Sequence, residues 1–318
     1  MNTVNSLSPR TMEEFLAQLR DALRGSDPAM IQDALFDSED YLRAAIADNA
    51  ALCESEVMAK VLNDYGTPQE VAGNYRQTDA TVQAAIQPAA KPRITANDRQ
   101  PGWFRRLFNV LLDPHAYGSL FYMLLSVWTG VFYFAYVVTG ISLSLGTIVL
   151  IFGIPLLILF LGSIRILALV EGRIVEALLG VRMPRRPALP KDPSRTGWIP
   201  RIKGFFTDPR TWSTMLYLLL MLPLGVIYFG VSICLLAMAL SFLLTPIAAL
   251  FGEFQIDGVV VNMSHIQILG TDLTTSGWVM LPIFVVLGVL CTLVLLHLAR
   301  WVGKWHGALA KNLLVIRD

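Results

Sequence analysis

Three groups of residues in this chain are of types that can do chemistry. The first is "DSEDY", which sets Asp37, Glu39 and Asp40 beside Tyr41. Neighbouring carboxylates can move protons or hold a divalent cation, but on a short amphipathic helix such acids form a solvated face, and they are read here as a surface for a partner. The second is a basic cluster, Arg182, Arg185, Arg186, Lys191, Arg195, Arg201 and Lys203, seven bases within 22 residues against one acid, Asp192. At about 1 kcal/mol per base beside an anionic leaflet it can bind lipid head groups, or it can dock an acidic protein surface. The third is His297, an ionisable group in an apolar run three residues before Arg300, where snorkelling or a helix hydrogen bond accounts for it better than a proton or ligand site. Cys53, Cys234 and Cys291 lie far apart and make neither a disulfide framework nor a C-x-x-C site. No nucleophile–base spacing, Gly-rich nucleotide-binding box or His/Asp/Glu cluster is present. The expectation is therefore no enzyme, no cofactor, no metal and no direct nucleic-acid binding.

The elements that must position these residues are mostly apolar. The chain is 54% hydrophobic and only 15% charged, against about 25% charged in soluble domains, so a membrane protein is expected. The net charge of +1 hides an acidic head, because residues 11–79 hold 14 acids and five bases. From Ser119 to Ile164 there are 46 residues without a charge, enough for two crossings of about 20 residues each. Gly140 to Gly146 is the expected turn between them, and Pro155 is expected to kink the returning helix or end a half-helix. "DPHAYGSLFY" from Asp113 returns as "DPRTWSTMLY" from Asp208, 95 positions later, and Gly130, Tyr133 and Phe134 match Gly225, Tyr228 and Phe229 in the same register. A self-match at this period reads as a duplicated unit.

Positive residues locate the sides of the membrane. Arg105 and Arg106 precede the first repeat, the basic cluster follows it, and Arg300, Lys304, Lys311 and Arg317 close the second; all are expected inside. Residues 252–277 contain no Lys or Arg and are expected outside, with a small β-hairpin-like loop turning at Asp257-Gly258. Val279 to Ala299 is a clean crossing of 21 residues. The stretch from Thr211 to Phe251 must then cross once, with a re-entrant or surface-lying piece ending near Pro246, which makes four crossings rather than five.

In the acidic head, Thr11 and Glu14 have capping-box spacing before an apolar stripe, Pro28 opens a second helix, Gly66 closes a third, and Thr67 with Glu70 boxes a fourth. The head, through "EEFLAQLRDAL", "DSEDYLRAA" and "SEVMAKVLNDYGTPQEVA", resembles the HAAS signalling domain of bacterial membrane regulators over residues 10–77, although "DSEDY" departs from a pattern whose aromatic follows the first Asp directly. The resemblance implies a non-catalytic cytoplasmic relay. The order of "GVFYF", "FGIPLL", "R-x-x-A-L-V-E-G-R" and "ARWVGKWHGALAKNLL" around the repeat resembles, over residues 103–316, the membrane sensor domain attached to many bacterial sensor histidine kinases, here without kinase motifs.

The expected fold is an all-α membrane protein: a head over 1–77, a flexible linker over 78–102, a first membrane repeat over 103–187 with crossings at 119–139 and 143–164, a basic linker over 188–207, and a second repeat over 208–318 with crossings at 213–235 and 279–299. The expected function is that of a multi-pass sensor or regulator of the inner membrane with both termini cytoplasmic. Its expected partners are anionic lipid head groups and a cytoplasmic transcription regulator or kinase, and a homodimer is compatible with it. The alternative is a small transporter or channel subunit built from a duplicated hairpin.

Overall fold

The computed structural model describes residues 8–86, 107–147, 153–186, 209–250, 254–256, 259–261, 266–268, 271–273 and 277–315. Four helices build the head: α1 (Met12–Ala22), α2 (Pro28–Asp48), α3 (Glu54–Asp64) and α4 (Pro68–Ile86). Their ends are set by local chemistry. Thr11 Oγ1 accepts the Glu14 amide at 3.2 Å, and Asp27 Oδ1 accepts the Ala29 amide at 2.9 Å ahead of Pro28. Thr67 and Glu70 cap each other reciprocally at 2.8 and 3.3 Å, and the Thr67 amide and hydroxyl hold the Glu70 carboxyl below its ordinary value. Gly66, at φ +100, adopts the left-handed conformation that ends α3.

The four helices enclose a core of Phe15, Leu19, Leu23, Leu42, Met58 and their neighbours. At about 1.5–3 kcal/mol per large side chain fully buried, this core is what folds four short helices that would be marginal alone. One boundary differs from expectation. Residues 78–86, read as the start of a flexible linker, continue α4, because Asp79 is buried and ion-paired rather than solvated; the rest of that linker lies outside the described residues.

After a short 3-10 turn (Asn109–Leu112) come α5 (Pro114–Gly146), α6 (Gly153–Leu179), α7 (Pro209–Leu250) and α8 (Gly277–Leu314). All four are long and apolar enough to cross a membrane. At about 1.5 Å per residue each exceeds the roughly 30 Å of bilayer hydrocarbon. Trp128, Leu159, Ile166 and Val286 are each at least 64% exposed, a placement that water would penalise and lipid does not.

Three boundaries depart from the sequence reading. The turn expected at Gly140–Gly146 is helix to Gly146, since Gly140 leaves room for the Phe160 ring rather than reversing the chain. Pro155 is the third residue of α6, where its missing N–H breaks no intrahelical bond, so it neither kinks nor ends a helix. The piece expected to re-enter near Pro246 is part of α7, one helix of 42 residues running through Pro223 and Pro246; each proline removes one backbone bond, which a long helix tolerates.

Between α7 and α8, strands β1 (Phe254–Ile256), β2 (Val259–Val261), β3 (Ile266–Ile268) and β4 (Thr271–Leu273) pair antiparallel in sequence order, with Phe254 opposite Val261, Val261 opposite Ile266 and Ile266 opposite Leu273. Asp257-Gly258 lies outside the described residues.

The described chain falls into two compact units. One comprises Met1–Arg93, Val137–Leu218 and Gly307–Asp318, the other Ile94–Tyr136 and Leu219–His306.

Candidate functional site

In the first unit a short segment after α6 meets the head. Gly180, at φ +68, ends α6, and residues 181–184 run on without helix or strand. The segment's apolar residues face membrane-helix glycines: Met183 is fully buried and touches the space that a Cβ at Gly172 would enter at 3.5 Å, while a Cβ at Gly307 would collide with Val181.

The segment's polar groups turn to α2 and α4. The Asp33 Oδ1 accepts two consecutive backbone amides, from Arg185 at 2.6 Å and Arg186 at 2.8 Å. Gln32 Nε2 donates to the Arg186 carbonyl at 2.7 Å. Arg186 pairs with Asp37 at 2.8 Å and lies 5.9 Å over the Phe36 ring, a cation–π contact. Arg182 stands among three carboxylates: Asp79 at 3.3 Å, Asp33 at 3.5 Å and, from α6, Glu176 at 3.9 Å. Glu176 is also held by Arg173 at 2.6 Å and Arg185 at 3.5 Å. A second strut joins Lys311 of α8 to Asp27, the N-cap of α2, at 2.6 Å.

The centre of this cluster, Arg182 with Asp33, Asp79 and Glu176, is buried. The Arg182 side chain is only 10% exposed; its Nε and Nη1 face Asp79 and Glu176 as ion pairs without hydrogen-bond geometry, and Gln32 Oε1 is buried without a hydrogen bond. Burial pushes the Asp33 carboxyl up, against the downward pull of the two amides and of the Arg182 charge. Such a network is held together by ion pairing whose desolvation cost is only partly offset, and removing one partner is costly because it strands another.

Of the basic residues singled out in the sequence, Arg182, Arg185 and Arg186 converge here; Lys191, Arg195, Arg201 and Lys203 lie outside the described residues. Of the acids, Asp37 takes part. Glu39 is buried and pairs with Arg43 one turn on in its own helix, at 2.5 Å, Asp40 stays exposed, and Tyr41 stacks on Tyr65 at 4.3 Å. Of the four, Glu39 is turned inward while Asp40 and Tyr41 are exposed. The acids that meet the basic segment are Asp33 and Asp37, one turn apart on α2, with Asp79 from α4.

Two buried polar couples lie in the membrane helices. In the first unit the Tyr217 hydroxyl donates to Glu171 Oε1 at 3.1 Å. In the second, His306 has the Tyr122 hydroxyl at 2.6 Å from Nε2 and the Tyr228 hydroxyl at 3.3 Å from Nδ1. His297, the histidine that stood out in the sequence, bonds the Leu293 carbonyl of its own helix at 2.9 Å. A signal for the missed pair exists. "RILALVEGRIVEALL" from Arg165 and "RWVGKWHGALAKNLL" from Arg300 share Arg, five residues, an ionisable residue, Gly, five residues, and Leu-Leu. Tyr122 and Tyr217 are themselves 95 positions apart. So are Ser126 and Met221, whose carbonyls a Cβ at Gly225 and at Gly130 would strike.

Four membrane-length helices with buried polar couples and a helical head define a multi-pass membrane protein. The protein family described as "Putative sensor" matches residues 122–314, which is 193 of 318 residues, and the chain belongs to that family. No curated protein and no solved structure matches the chain.

Proposed function

We propose that this protein is an inner-membrane sensor that passes a change in the bilayer, or on its outer side, to a cytoplasmic regulatory protein through its N-terminal HAAS-like head. Both termini and residues 182–203 face the cytoplasm in this reading, and residues 252–277 face outside, as the positive charges require. The observation that carries it is the double attachment of residues 181–186. Val181 and Met183 seat on Gly307 and Gly172 of two membrane helices, and the arginines between and after them grip the head. A shift of α6 against α8 at those glycines would withdraw the segment from Asp33, and withdrawing the segment returns its charges to water, which offsets part of the loss of the Arg182 ion pairs. A stimulus acts only through its preference for one arrangement.

The two hairpins are further read as copies of one unit. Support comes from the 95-position matches of Tyr122 with Tyr217 and of Gly130 with Gly225, and from the shared pattern around Glu171 and His306. The transporter reading draws on the same buried Glu171 and His306, because ionisable groups inside membrane helices often mark a substrate path. Each is already hydrogen-bonded to tyrosine, which favours a packing or switching role.

The test is a crosslink across Asp37 and Arg186. In a chain without native cysteines, D37C with R186C should crosslink in membranes, and the yield should change between bilayers of different thickness or charge. A yield that stays the same in every bilayer would sink the sensor reading.

A further inference from the structure

We infer that the α2–α4 face of the head is a binding site for a short arginine-rich peptide, and that residues 182–186 occupy it as a built-in ligand. The inference rests on the proposed relay role and names the chemistry of the partner. The head reads this segment as a peptide is read. One carboxylate, Asp33, takes two successive main-chain amides, and Gln32 takes the next main-chain carbonyl. Two successive amides reach one oxygen only where the chain bends, as it does at Arg185 and Arg186, because neighbouring amides of an extended chain point to opposite sides; Pro184 restricts the chain just ahead of that bend.

Side-chain contacts then supply the selectivity. Asp33 and Asp79 hold the first arginine, and Asp37 with the Phe36 ring holds the last. A planar guanidinium can pair with a carboxylate and stack on a ring at once, which an ammonium does less well. The preferred ligand is Arg-x-x-Arg-Arg bent at its last two arginines, matching Arg182, Arg185 and Arg186.

The built-in segment fills the site imperfectly. Arg182 Nε and Asp79 Oδ1 stand 3.3 Å apart as an ion pair without a hydrogen bond, Arg182 Nη1 is shared with Glu176 of α6 at 3.9 Å, and Gln32 Oε1 is buried without a hydrogen bond. A separate arginine-rich segment, free of the connection to α6, can settle onto the same acids without that compromise. While the segment is attached it competes at an effective concentration in the millimolar range. A cytoplasmic partner carrying such a sequence therefore gains access only when the membrane helices withdraw it.

The experiment uses the full chain in nanodiscs and a fluorescent peptide of residues 180–187. R182A/R186A, which loosens the built-in segment by removing its side-chain contacts, should bind the peptide about tenfold or more tighter than the wild-type chain does. Adding D33K to R182A/R186A should abolish binding, and a peptide with its arginines changed to lysine or its order scrambled should bind about tenfold more weakly. R182E/R186E is the second opened variant, and retained helical circular dichroism shows that either chain is folded. Equal affinity of the wild-type and both opened chains, indifference to D33K, or equal binding of the scrambled peptide overturns the inference. The D37C–R186C crosslink tests the relay reading without any peptide, so the two can fail separately.

Discussion

Asp33 is the residue on which the attachment turns, since one buried carboxylate serves two amides and an arginine. D33A would leave two N–H groups without their acceptor, at about 1–3 kcal/mol each where they remain buried. D33N keeps a carbonyl acceptor and avoids burying a charge. D33A should therefore undock the segment, read as loss of the D37C–R186C crosslink, while D33N should retain most of it. The pH dependence follows from the raised Asp33 value. Where the folded-state value lies above the ordinary 3.8, the group's contribution is complete below the ordinary value and is lost as pH rises through the raised one. Docking of the wild type relative to D33N should thus weaken as pH rises above about 4. A wild-type advantage that grows with pH would show that pairing with Arg182 outweighs burial.

Element packing is decided at a few glycines. At Gly307 a Cβ would collide with Val181, whereas at Gly172 it would make an ordinary 3.5 Å contact with Met183. G307A should displace residues 181–186 at a cost of about 1–3 kcal/mol. G172A should be neutral or gain up to about 1 kcal/mol of helix propensity. V181A should restore the crosslink lost in G307A, and a failure of that rescue would place the fault elsewhere in α8. Gly130 and Gly225 let α5 and α7 approach until each meets the other's carbonyl. G130A and G225A should each lower the melting temperature in detergent, whereas G73A, in open space on α4, should not.

For the whole molecule, charge decides orientation. With the native cysteines removed, a Cys at Thr274 should react with an impermeant reagent in intact cells and a Cys at Thr196 should not; the reverse pattern overturns the orientation. The head has its own core and caps, so residues 1–86 expressed alone should give a helical circular dichroism spectrum. High salt should loosen the head from the membrane part through the half-exposed Arg186–Asp37 pair more than through the buried Arg182 cluster, because screening acts mainly on exposed charges.

The sequence by itself determined what depends on neighbours along the chain. Thr11, Pro28, Gly66 and Thr67 mark the head's helix ends because capping is settled within four residues. The 46 uncharged residues and the run from Val279 mark membrane spans because a charge in hydrocarbon is costly in any arrangement. Tertiary structure alone decided where the helices stop and which charges meet. Gly140 reads as a turn until the Phe160 ring is found against it, and residues 78–86 read as linker until Asp79 finds Arg182. Asp33 is one acid among 14 in the head, and nothing local distinguishes it from Asp40. Its role comes from partners about 150 positions away, brought close by packing, where burial turns an interaction that water would weaken into one that holds the segment.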